Sequence, residues 1–433
     1  MTAPSSLFAG AQYALVGLGR AGMPAARRLR EMGATLRLWD DSAPAREAAA
    51  AEGFTIGRPS EAGQPFTALI LSPGIPHALP TPNPEAVWAL SHNLPIWCDA
   101  ELLYQAVRRS GSQARFVGIT GTNGKSTTTA LLAHILAVAG VPHAAGANLG
   151  PAAMSLPLLP DHGVYVLEMS SYMLERLGTL RFDAAVMLNL TPDHFERHGD
   201  MAGYAAAKRH VFDRQDEHCT AIIFTDDAPS AEMAASLAGT RARLLRLTAK
   251  GHASGAPALP GEHNAQNALA AAALARALGV PETAIAEAIQ TFPGLAHRAQ
   301  LVAEIAGVRF INDSKATNAD AAAKAMGVYD QFVWIAGGTA KIGGIDDLAP
   351  YFPRIQKAFL IGQDGPAFAA QLRAAGVDAL CVATLEAAVP AAYQAARAGS
   401  HVVLFSPSAA SFDQFPNFEV RGDHFVALVK ELG

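Results

Sequence analysis

Short runs of aliphatic and β-branched residues alternate along this chain with longer stretches rich in alanine and leucine. The short runs have the length of strands, and the longer stretches have the length and composition of helices. Strands that alternate with helices predict parallel sheets covered by helices, so the expected fold class is α/β. The predicted strands are Tyr13–Val16, Leu36–Trp39, Ala68–Leu71, Phe116–Ile119, Tyr165–Glu168, Ala184–Leu188, Ala221–Phe224, Val308–Ile311, Phe332–Ile335, Ala358–Ile361 and His401–Phe405.

Two breaks divide this pattern. A polar segment with Gly and Ser at 108–113 precedes one predicted strand, and Pro293 and Gly294 follow a predicted helix that ends at Gln290. Cuts near 110 and 296 fit the rule of about 150 residues per domain. The predicted domains are residues 1–110, 111–296 and 297–433.

Composition narrows the function classes. Half of the 433 residues are hydrophobic and only 16% are charged, which excludes an extended disordered chain. The net charge of −5 argues against a broad basic face for nucleic acid. A bound polyanion would therefore need backbone amides, a few placed cations and a metal ion.

Nothing in the sequence indicates export or a membrane segment. The first cationic residue is Arg20, so the charged start of a signal peptide is missing, and the apolar stretches are shorter than about 20 residues. Cys98, Cys219 and Cys381 match neither a disulfide framework nor a zinc motif, and we expect buried, reduced thiols. These features predict a cytoplasmic protein.

A first glycine-rich turn follows the strand Tyr13–Val16. The run Gly17-Leu18-Gly19-Arg20-Ala21-Gly22 leads into a predicted helix, and Asp40 ends the next strand 18 residues later. This is the pattern that lets a diphosphate approach helix N–H groups while an acid binds a ribose. It does not distinguish NAD, FAD and a UDP-sugar. The turn Ser72-Pro73-Gly74 follows another strand at the same expected edge.

A second glycine-rich loop is more specific. The strand Phe116–Ile119 leads into Thr120-Gly121-Thr122-Asn123-Gly124-Lys125-Ser126-Thr127 and then a helix. Amides of such a loop hold phosphates, Lys125 would neutralise β- and γ-phosphate charge, and the Ser126 hydroxyl can bind Mg²⁺. Ile119 stands where the general P-loop has glycine. The loop matches instead the T-G-T-N-G-K variant.

That variant is typical of the superfamily of Mur ligases and folylpolyglutamate synthases, and further blocks extend the likeness through nearly the whole chain. These blocks are Asn148–Gly150, Glu168–Leu174, Leu188–His194, Tyr204–Lys208, Gly261–Ala268, His297-Arg298, Asn312–Asn318, Gly337–Lys341 and Ser406–Gly422. In this order they resemble the Mur ligase family, and within it the ligases that add D-glutamate to UDP-N-acetylmuramoyl-L-alanine in peptidoglycan precursor synthesis.

The resemblance implies an ATP-dependent amide ligase that works through an acyl phosphate and releases ADP and phosphate. It implies a Rossmann-like N-terminal domain for the UDP-substrate, a central P-loop-type ATPase domain with a parallel sheet, and a Rossmann-like C-terminal domain for the amino acid. The expected cofactors are ATP and Mg²⁺ at two sites. The expected partners are small-molecule substrates, with no nucleic acid and no membrane, and we expect a monomer.

The chemistry is expected in the central domain. Glu168 and His194 lie at or just after the ends of predicted strands and can offer oxygen and nitrogen ligands to Mg²⁺. The resemblance implies that Lys208 carries a carbamate, which requires a neutral amine and hence a lowered pKa. The expected catalytic residues are Lys125, Glu168, His194 and Lys208, and the expected metal ligands are Ser126, Glu168, His194 and carbamylated Lys208.

Binding residues follow from the same matching. The expected ATP-binding residues are Gly121, Thr122, Asn123, Gly124, Lys125, Ser126, Thr127, Asn264, Asn267, Arg298 and Asp313. The expected UDP-substrate residues are Gly17, Leu18, Gly19, Arg20, Asp40, Ser72, Gly74, Asn148 and Ser170. D-Glutamate has two carboxylates and needs a cation with directed donors. Its expected residues are Lys315, Thr317, Lys341, Ser411, Phe412 and Phe418.

Three other functions stay open at this stage. A sibling ligase of the superfamily could use a different amino acid, such as L-glutamate. A nicotinamide-dependent oxidoreductase would use the first glycine turn but leaves Lys125 and Lys208 without a role, and the third alternative is a nucleotide-binding regulator without turnover. The sequence suggests no Ser/His/Asp or Cys/His nucleophile arrangement.

Overall fold

The computed structural model describes residues 4–63, 65–259, 261–341 and 343–433. The chain forms two compact units. The first unit comprises the chain up to residue 256 together with residues 261–292, and the second comprises residues 293–433 with a short segment that begins at residue 257. Our three-domain division places the first unit's two sheets in separate domains, and it stays a prediction.

Three sheets carry the fold, and almost all of their strand pairs are parallel. The first sheet has the order β3-β2-β1-β4-β5, the second β11-β10-β9-β6-β8-β7, and the third β12-β13-β17-β14-β15-β16. Only β12 runs antiparallel to its neighbour β13 among the described strands. The strands are β1 Gln12–Val16, β2 Thr35–Trp39, β3 Thr55–Ile56, β4 Ala68–Leu71, β5 Ile96–Trp97, β6 Arg115–Thr120, β7 His143–Ala147, β8 Val164–Glu168, β9 Ala184–Met187, β10 Thr220–Phe224, β11 Arg243–Leu247, β12 Gln300–Ile305, β13 Val308–Asn312, β14 Phe332–Gly337, β15 Ile355–Ile361, β16 Ala379–Ala383 and β17 Val402–Phe405.

Helices connect the strands, as the α/β prediction requires. They are α1 Gly22–Glu31, α2 Ala43–Ala51, α3 Pro84–Ser91, α4 Asp99–Arg109, α5 Lys125–Val138, α6 Ser171–Leu174, α7 Phe195–His198, α8 Met201–Arg209, α9 Ala228–Ser236, α10 Glu262–Ala277, α11 Glu282–Thr291, α12 Ala319–Met326, α13 Gly365–Ala374, α14 Leu385–Arg397 and α15 Phe418–Lys430. The residue pattern predicts a helix over Tyr204–Phe212, but α8 ends at Arg209 and a 3₁₀ turn over His210–Phe212 continues the chain.

Helix starts differ in a way that matters for the site. Asp200, Asp227 and Asn318 cap α8, α9 and α12 by accepting a hydrogen bond from a backbone N–H of the first turn. By contrast, α1 begins after Ala21 and α5 after Gly124, and neither has a side-chain cap. The cap residues of these two helices therefore place no side-chain acceptor against the first turn.

All eleven predicted strands are present, and all of them lie inside a sheet. The interior strands β4, β8, β9 and β10 are buried along their whole length. Each fully buried aliphatic side chain there contributes roughly 1.5–3 kcal/mol. Because the strands are parallel, their carboxyl ends meet at one edge of each sheet, where ligands bind in such folds.

The prediction that all three cysteines are buried is confirmed for two of them and wrong for the third. Cys98 and Cys219 are buried as predicted, whereas Cys381 is exposed because it lies on β16 at the edge of the third sheet.

Within the described ranges, we find no helix with both the length and the apolar character that crossing a bilayer requires.

Candidate active site

The first glycine turn is locked against a second turn of the same sheet. Gly17 has a φ of +93°, and a methyl group there would lie 2.6 Å from Cβ of Ser72. The Ser72 hydroxyl donates to the Gly17 carbonyl at 2.8 Å, and the Leu18 amide donates to Asp40 Oδ2 at 2.6 Å. Glycine at 17 is therefore required by both the backbone angle and the close approach.

These turns open onto a cavity of about 590 Å³, a volume within the usual range for small-ligand sites. Seven of the nine predicted UDP-substrate residues line it: Gly17, Gly19, Arg20, Asp40, Ser72, Gly74 and Asn148. Of the other two, Leu18 bonds to Asp40, and Ser170 caps α6 outside the lining. Arg20 reaches across to the carbonyl of Gly150 at 2.5 Å.

The second glycine loop joins the end of β6 to α5. Gly121 and Gly124 have φ angles of +150° and +85°, and a methyl group at Gly124 would collide with Oδ1 of Asn267. Asn267 in turn donates to Oδ1 of Asn264 at 3.0 Å. The two asparagines expected to bind ATP therefore contact each other, and Asn267 lies against the loop. The Asn123 amide donates to the side chain of Asn189 at 2.8 Å.

Two lysines converge on this loop. Lys125 Nζ donates to the carbonyls of Gly121 and Thr122 at 2.9 and 2.8 Å, and Lys208 Nζ donates to the same Gly121 carbonyl at 2.8 Å. Lys208 is only 1% exposed. Its pKa is lowered well below its usual value by burial and by the charge of Lys125, while Asp193 and Glu168 act in the opposite direction.

Glu168 links the loop to the cavity. It ends β8 and is almost fully buried, and its Oε1 accepts a hydrogen bond from Asn148 at 2.6 Å. Its Oε2 is buried without a hydrogen-bond partner. A buried carboxylate oxygen without a donor is unfavourable unless a cation or another donor reaches it, so this atom fits a metal ligand.

His194 lies seven residues beyond β9, at the start of α7, with a φ of +55°. Its Nδ1 lies 2.8 Å from the Tyr172 hydroxyl, and its Nε2 lies 3.5 Å from Oδ2 of Asp193. Among the described residues, no three His, Cys, Asp or Glu side chains group closely enough to hold a metal ion by themselves. The predicted set also includes Ser126 and carbamylated Lys208, which are not among these four residue types, and it stays a prediction.

Sequence reasoning missed a hydrogen-bonded chain beside this site. The Ser171 hydroxyl lies 2.9 Å from Nε2 of His198, whose Nδ1 lies 3.3 Å from Glu175. The order is that of a Ser-His-acid triad, but Ser171 is 2% exposed, so the serine is not open to a substrate. The His198 ring stacks on Tyr172, and the chain therefore supports the residue that contacts His194.

The second unit holds the remaining predicted ATP residues. Asp313 is buried at the end of β13 and accepts hydrogen bonds from the Ala299 amide at 3.1 Å and the Ser406 hydroxyl at 2.7 Å. Burial raises the pKa of Asp313 to about 7, against the lowering effect of these bonds and of Arg298.

The predicted amino-acid residues lie at one edge of the third sheet, on loops except for Phe418, which begins α15. Thr339 and Ala410 exchange two backbone hydrogen bonds, which joins the loop after β14 to the loop after β17. Lys341 and Ser411 follow these two residues, and Ser411 is 2% exposed. The other members are Lys315, whose Nζ lies 3.9 Å from the ring centre of Phe418, Thr317, whose amide donates to the Lys315 carbonyl, and Phe412, which is 76% exposed.

Comparison with known proteins agrees with this arrangement. A family model described as the Mur ligase middle domain matches residues 119–258, and one described as the Mur ligase glutamate ligase domain matches residues 297–409. A UDP-N-acetylmuramoylalanine–D-glutamate ligase of Paramagnetospirillum magneticum is 47% identical over 98% of this chain and 97% of its own length. The chain belongs to the Mur ligase family.

Other relatives of this Mur ligase extend the comparison. The protein of the same name from Rhodospirillum rubrum is 45% identical over 99% of this chain and 96% of its own length. The crystal structure of UDP-N-acetylmuramate–alanine ligase from Thermotoga maritima covers 98% of this Mur ligase and 100% of its own chain, with a TM-score of 0.58 at 17% identity. MurF from Acinetobacter baumannii covers 77% and 82%, with a TM-score of 0.57 at 21% identity. These two structures support the fold.

Proposed function

We propose that this Mur ligase is an ATP-dependent amide ligase that joins D-glutamate to UDP-N-acetylmuramoyl-L-alanine and releases ADP and phosphate. The observation that carries this proposal is identity of 45–47%, over nearly the whole chain, to two relatives that bear the name of this activity. The reaction belongs to peptidoglycan precursor synthesis. We place it in the cytoplasm, where the protein acts as a monomer on small molecules.

The UDP-substrate occupies the cavity of the first unit in this proposal. Its diphosphate faces the amides at the uncapped start of α1, and Asp40 accepts from the ribose. Arg20 supplies the cation that a diphosphate needs at this end. Asn148 lines the same cavity and bonds to Glu168, so the peptide arm of the substrate points towards the phosphate loop.

Phosphoryl transfer takes place at the loop before α5. The amides after Gly124 bind the β- and γ-phosphates, and Lys125 exchanges its carbonyl partners for phosphate oxygens. The γ-phosphoryl group moves to an oxygen of the L-alanyl carboxylate, which forms an acyl phosphate and leaves ADP. Asn264 and Asn267 bind adenine, and the ATP-binding roles of Arg298 and Asp313 stay predictions from the resemblance.

Magnesium fits the residues beside the loop, and it would supply charge neutralisation for the phosphates and the carboxylate. Ser126, Glu168, His194 and a carbamate of Lys208 would hold it at two sites. The buried, unpartnered oxygen of Glu168 supports this assignment. The buried Lys208 amine, with its lowered pKa, can add to CO₂ with loss of one proton, and the product is an anionic oxygen ligand.

The amide bond forms when the neutral amine of D-glutamate attacks the acyl phosphate carbon, and the tetrahedral intermediate then expels phosphate. Lys341 and the Ser411 hydroxyl bind the carboxylates of the amino acid, with Lys315 and Thr317 on the neighbouring loop. Phe412 and Phe418 supply backbone amides and an apolar wall. An oxidoreductase would leave the converging Lys125 and Lys208 without a function.

The test combines phosphate release with product mass. The purified chain is incubated with UDP-N-acetylmuramoyl-L-alanine, ATP and, separately, D-glutamate, L-glutamate and D-glutamine. We expect phosphate release that requires both the UDP-substrate and D-glutamate, with a product heavier by one glutamyl residue. Preference for L-glutamate would overturn the named substrate, and NADH binding without phosphate release would overturn the ligase.

A variant pair tests the amino-acid pocket in the same assay. Lys341→Ala removes the proposed cation for a carboxylate, and we expect the KM for D-glutamate to rise roughly 10- to 100-fold, since hydrogen bonds to charged groups contribute roughly 1.5–3 kcal/mol. Lys357→Ala is the matched control, because Lys357 pairs with Asp378 on the same sheet. An unchanged KM in Lys341→Ala would contradict the pocket.

A further inference from the structure

Arg176 is one of the largest fully buried side chains of the protein, at 1% exposure. It follows α6, in the segment that connects β8 to β9 of the second sheet. Nothing in its sequence context distinguishes it from a surface arginine. Burying a guanidinium is costly unless its donors are satisfied, so its partners indicate what the charge is used for.

Those partners are three backbone carbonyls at and just after the end of β4, together with Nδ1 of His77 at 3.4 Å. One terminal nitrogen of Arg176 donates to Leu71 at 2.9 Å and to Ser72 at 2.7 Å, and the other donates to Ile75. The carbonyls lie 101 to 105 residues away in sequence. Three carbonyls of one turn thus converge on one planar guanidinium, whose fork of donors lysine cannot reproduce.

Among the described residues, no carboxylate lies within hydrogen-bond distance of this guanidinium, and its buried Nε has no hydrogen-bond partner. Arg197 approaches the same Ile75 carbonyl at 3.3 Å, so a second cation adds repulsion. Burial and the charge of Arg197 lower the pKa of Arg176 to about 10, and the group is still cationic at neutral pH. An apolar side chain of similar volume would avoid the cost of removing this charge from water. We therefore attribute the presence of an arginine to the turn whose carbonyls it binds.

The turn held in this way is part of the cavity. Ser72, Gly74 and Ile75 line it, and the Ser72 hydroxyl holds the carbonyl of Gly17 on the first glycine turn. We propose that Arg176 is a positioning residue of the UDP-substrate site, which fixes the Ser72–Ile75 turn, and through Ser72 the Gly17 turn, in the shape that receives the substrate. This inference rests on the proposed function, because it assigns the cavity to the UDP-substrate.

The experiment measures direct binding by calorimetry to the full chain. The ligands are UDP-N-acetylmuramoyl-L-alanine and, separately, a non-hydrolysable ATP analogue. We expect Arg176→Met to weaken the UDP-substrate about tenfold or more, since three donors to carbonyls are lost, and to leave the affinity for the ATP analogue within about twofold. In turnover, the KM for the UDP-substrate rises while kcat at saturation stays close to that of the wild type.

Arg421→Met is the matched control. Arg421 is also 1% exposed and donates to two backbone carbonyls, Ala409 at 3.0 Å and Ser314 at 2.8 Å, but these residues belong to the second unit and do not line the cavity. We expect the control variant to lose stability in urea without a change in affinity for the UDP-substrate. An equal loss of affinity in the control and in Arg176→Met would overturn the positioning role, because it would reflect general destabilisation.

The outcomes separate this inference from the proposed function. Wild-type protein that does not bind the UDP-substrate overturns the proposed function, whereas wild-type affinity in a folded Arg176→Met protein overturns only the role of Arg176. If Arg176→Met does not fold, Arg176→Lys decides. Its single ammonium cannot serve the three carbonyls in their present positions, so we expect intermediate affinity, and wild-type affinity would overturn the inference.

Discussion

The two glycine-rich turns of the first unit share a backbone device and differ in charge. Both follow a parallel strand, contain glycines with positive φ, and lead into helices without side-chain caps. The first turn opens on a cavity with Arg20 and Asp40, whereas the second has Lys125 and the buried Lys208 on one carbonyl. In the proposed function, the first turn only holds a diphosphate, whereas the second transfers a phosphoryl group.

The largest effect is expected from a substitution in the second glycine-rich loop, where the phosphoryl group would be transferred. Lys125→Ala removes charge compensation for the transferred phosphoryl group and should lower kcat by roughly 10³-fold or more. Binding of the UDP-substrate should stay unchanged, since Lys125 does not line the cavity. Turnover is measured by ADP release, with the exposed Lys430→Ala as control. Normal ADP release by folded Lys125→Ala would remove the distinction between the two turns.

A loss nearly as large is expected from Lys208→Ala. The variant lacks the amine that would carry the carbamate, and kcat should fall roughly 10²- to 10³-fold through loss of an anionic metal ligand. Short carboxylic acids such as acetate should restore part of the activity by occupying the vacated space. Full activity without added acid would show that the buried lysine has only a structural role.

The first turn should respond to shape instead of charge. Gly17→Ala places a methyl group against Ser72 at a φ that alanine rarely adopts, and should reduce the free energy of unfolding by about 2–4 kcal/mol. Gly19→Ala is the matched control, because no atom lies within 4 Å of a methyl group there. Urea unfolding of both variants distinguishes them. Equal stability would contradict the close packing of the Gly17 turn.

The smallest effect concerns Asp99, which lines the cavity behind the first turn. Burial raises its pKa to about 6 from 3.8, so between these values the folded chain holds more protons than the unfolded chain. Stability contributed by this group therefore falls as pH rises from about 4 to about 6, by up to a few kcal/mol. Asp99→Asn should flatten that slope in unfolding curves. A slope equal to that of the wild type would show that Asp99 titrates normally.

The strands missed from the sequence share one physical property. β3, β5, β7, β11, β12 and β16 are the six outer strands of the three sheets, and none was predicted. An outer strand such as Arg243–Leu247 is only partly buried and carries two arginines, so its sequence has no continuous apolar run. The interior strand Ala184–Met187 is buried throughout and is recognisable from composition alone.

The features of the candidate site also differ in whether the sequence alone predicts them. Glycine turns could be predicted because a turn is encoded by neighbouring residues, and the structure brings most of the predicted UDP-substrate residues to one cavity. Contacts such as Tyr172 with His194, or Arg176 with Ser72, join residues far apart in sequence. A tyrosine or arginine has no local signal for such a partner, since burial and pairing arise only when the sheets pack.

The central claim is that the γ-phosphoryl group of ATP, held at the second loop, is transferred to an oxygen of the substrate carboxylate, which activates that carboxylate as an acyl phosphate. The most direct measurement uses UDP-N-acetylmuramoyl-L-alanine labelled with ¹⁸O in the L-alanyl carboxylate, with ATP and D-glutamate, and mass analysis of the released phosphate. An acyl phosphate leaves one carboxylate oxygen on phosphate, so we predict one ¹⁸O in each labelled phosphate. Phosphate without label would contradict the account and point to another activation, such as adenylation.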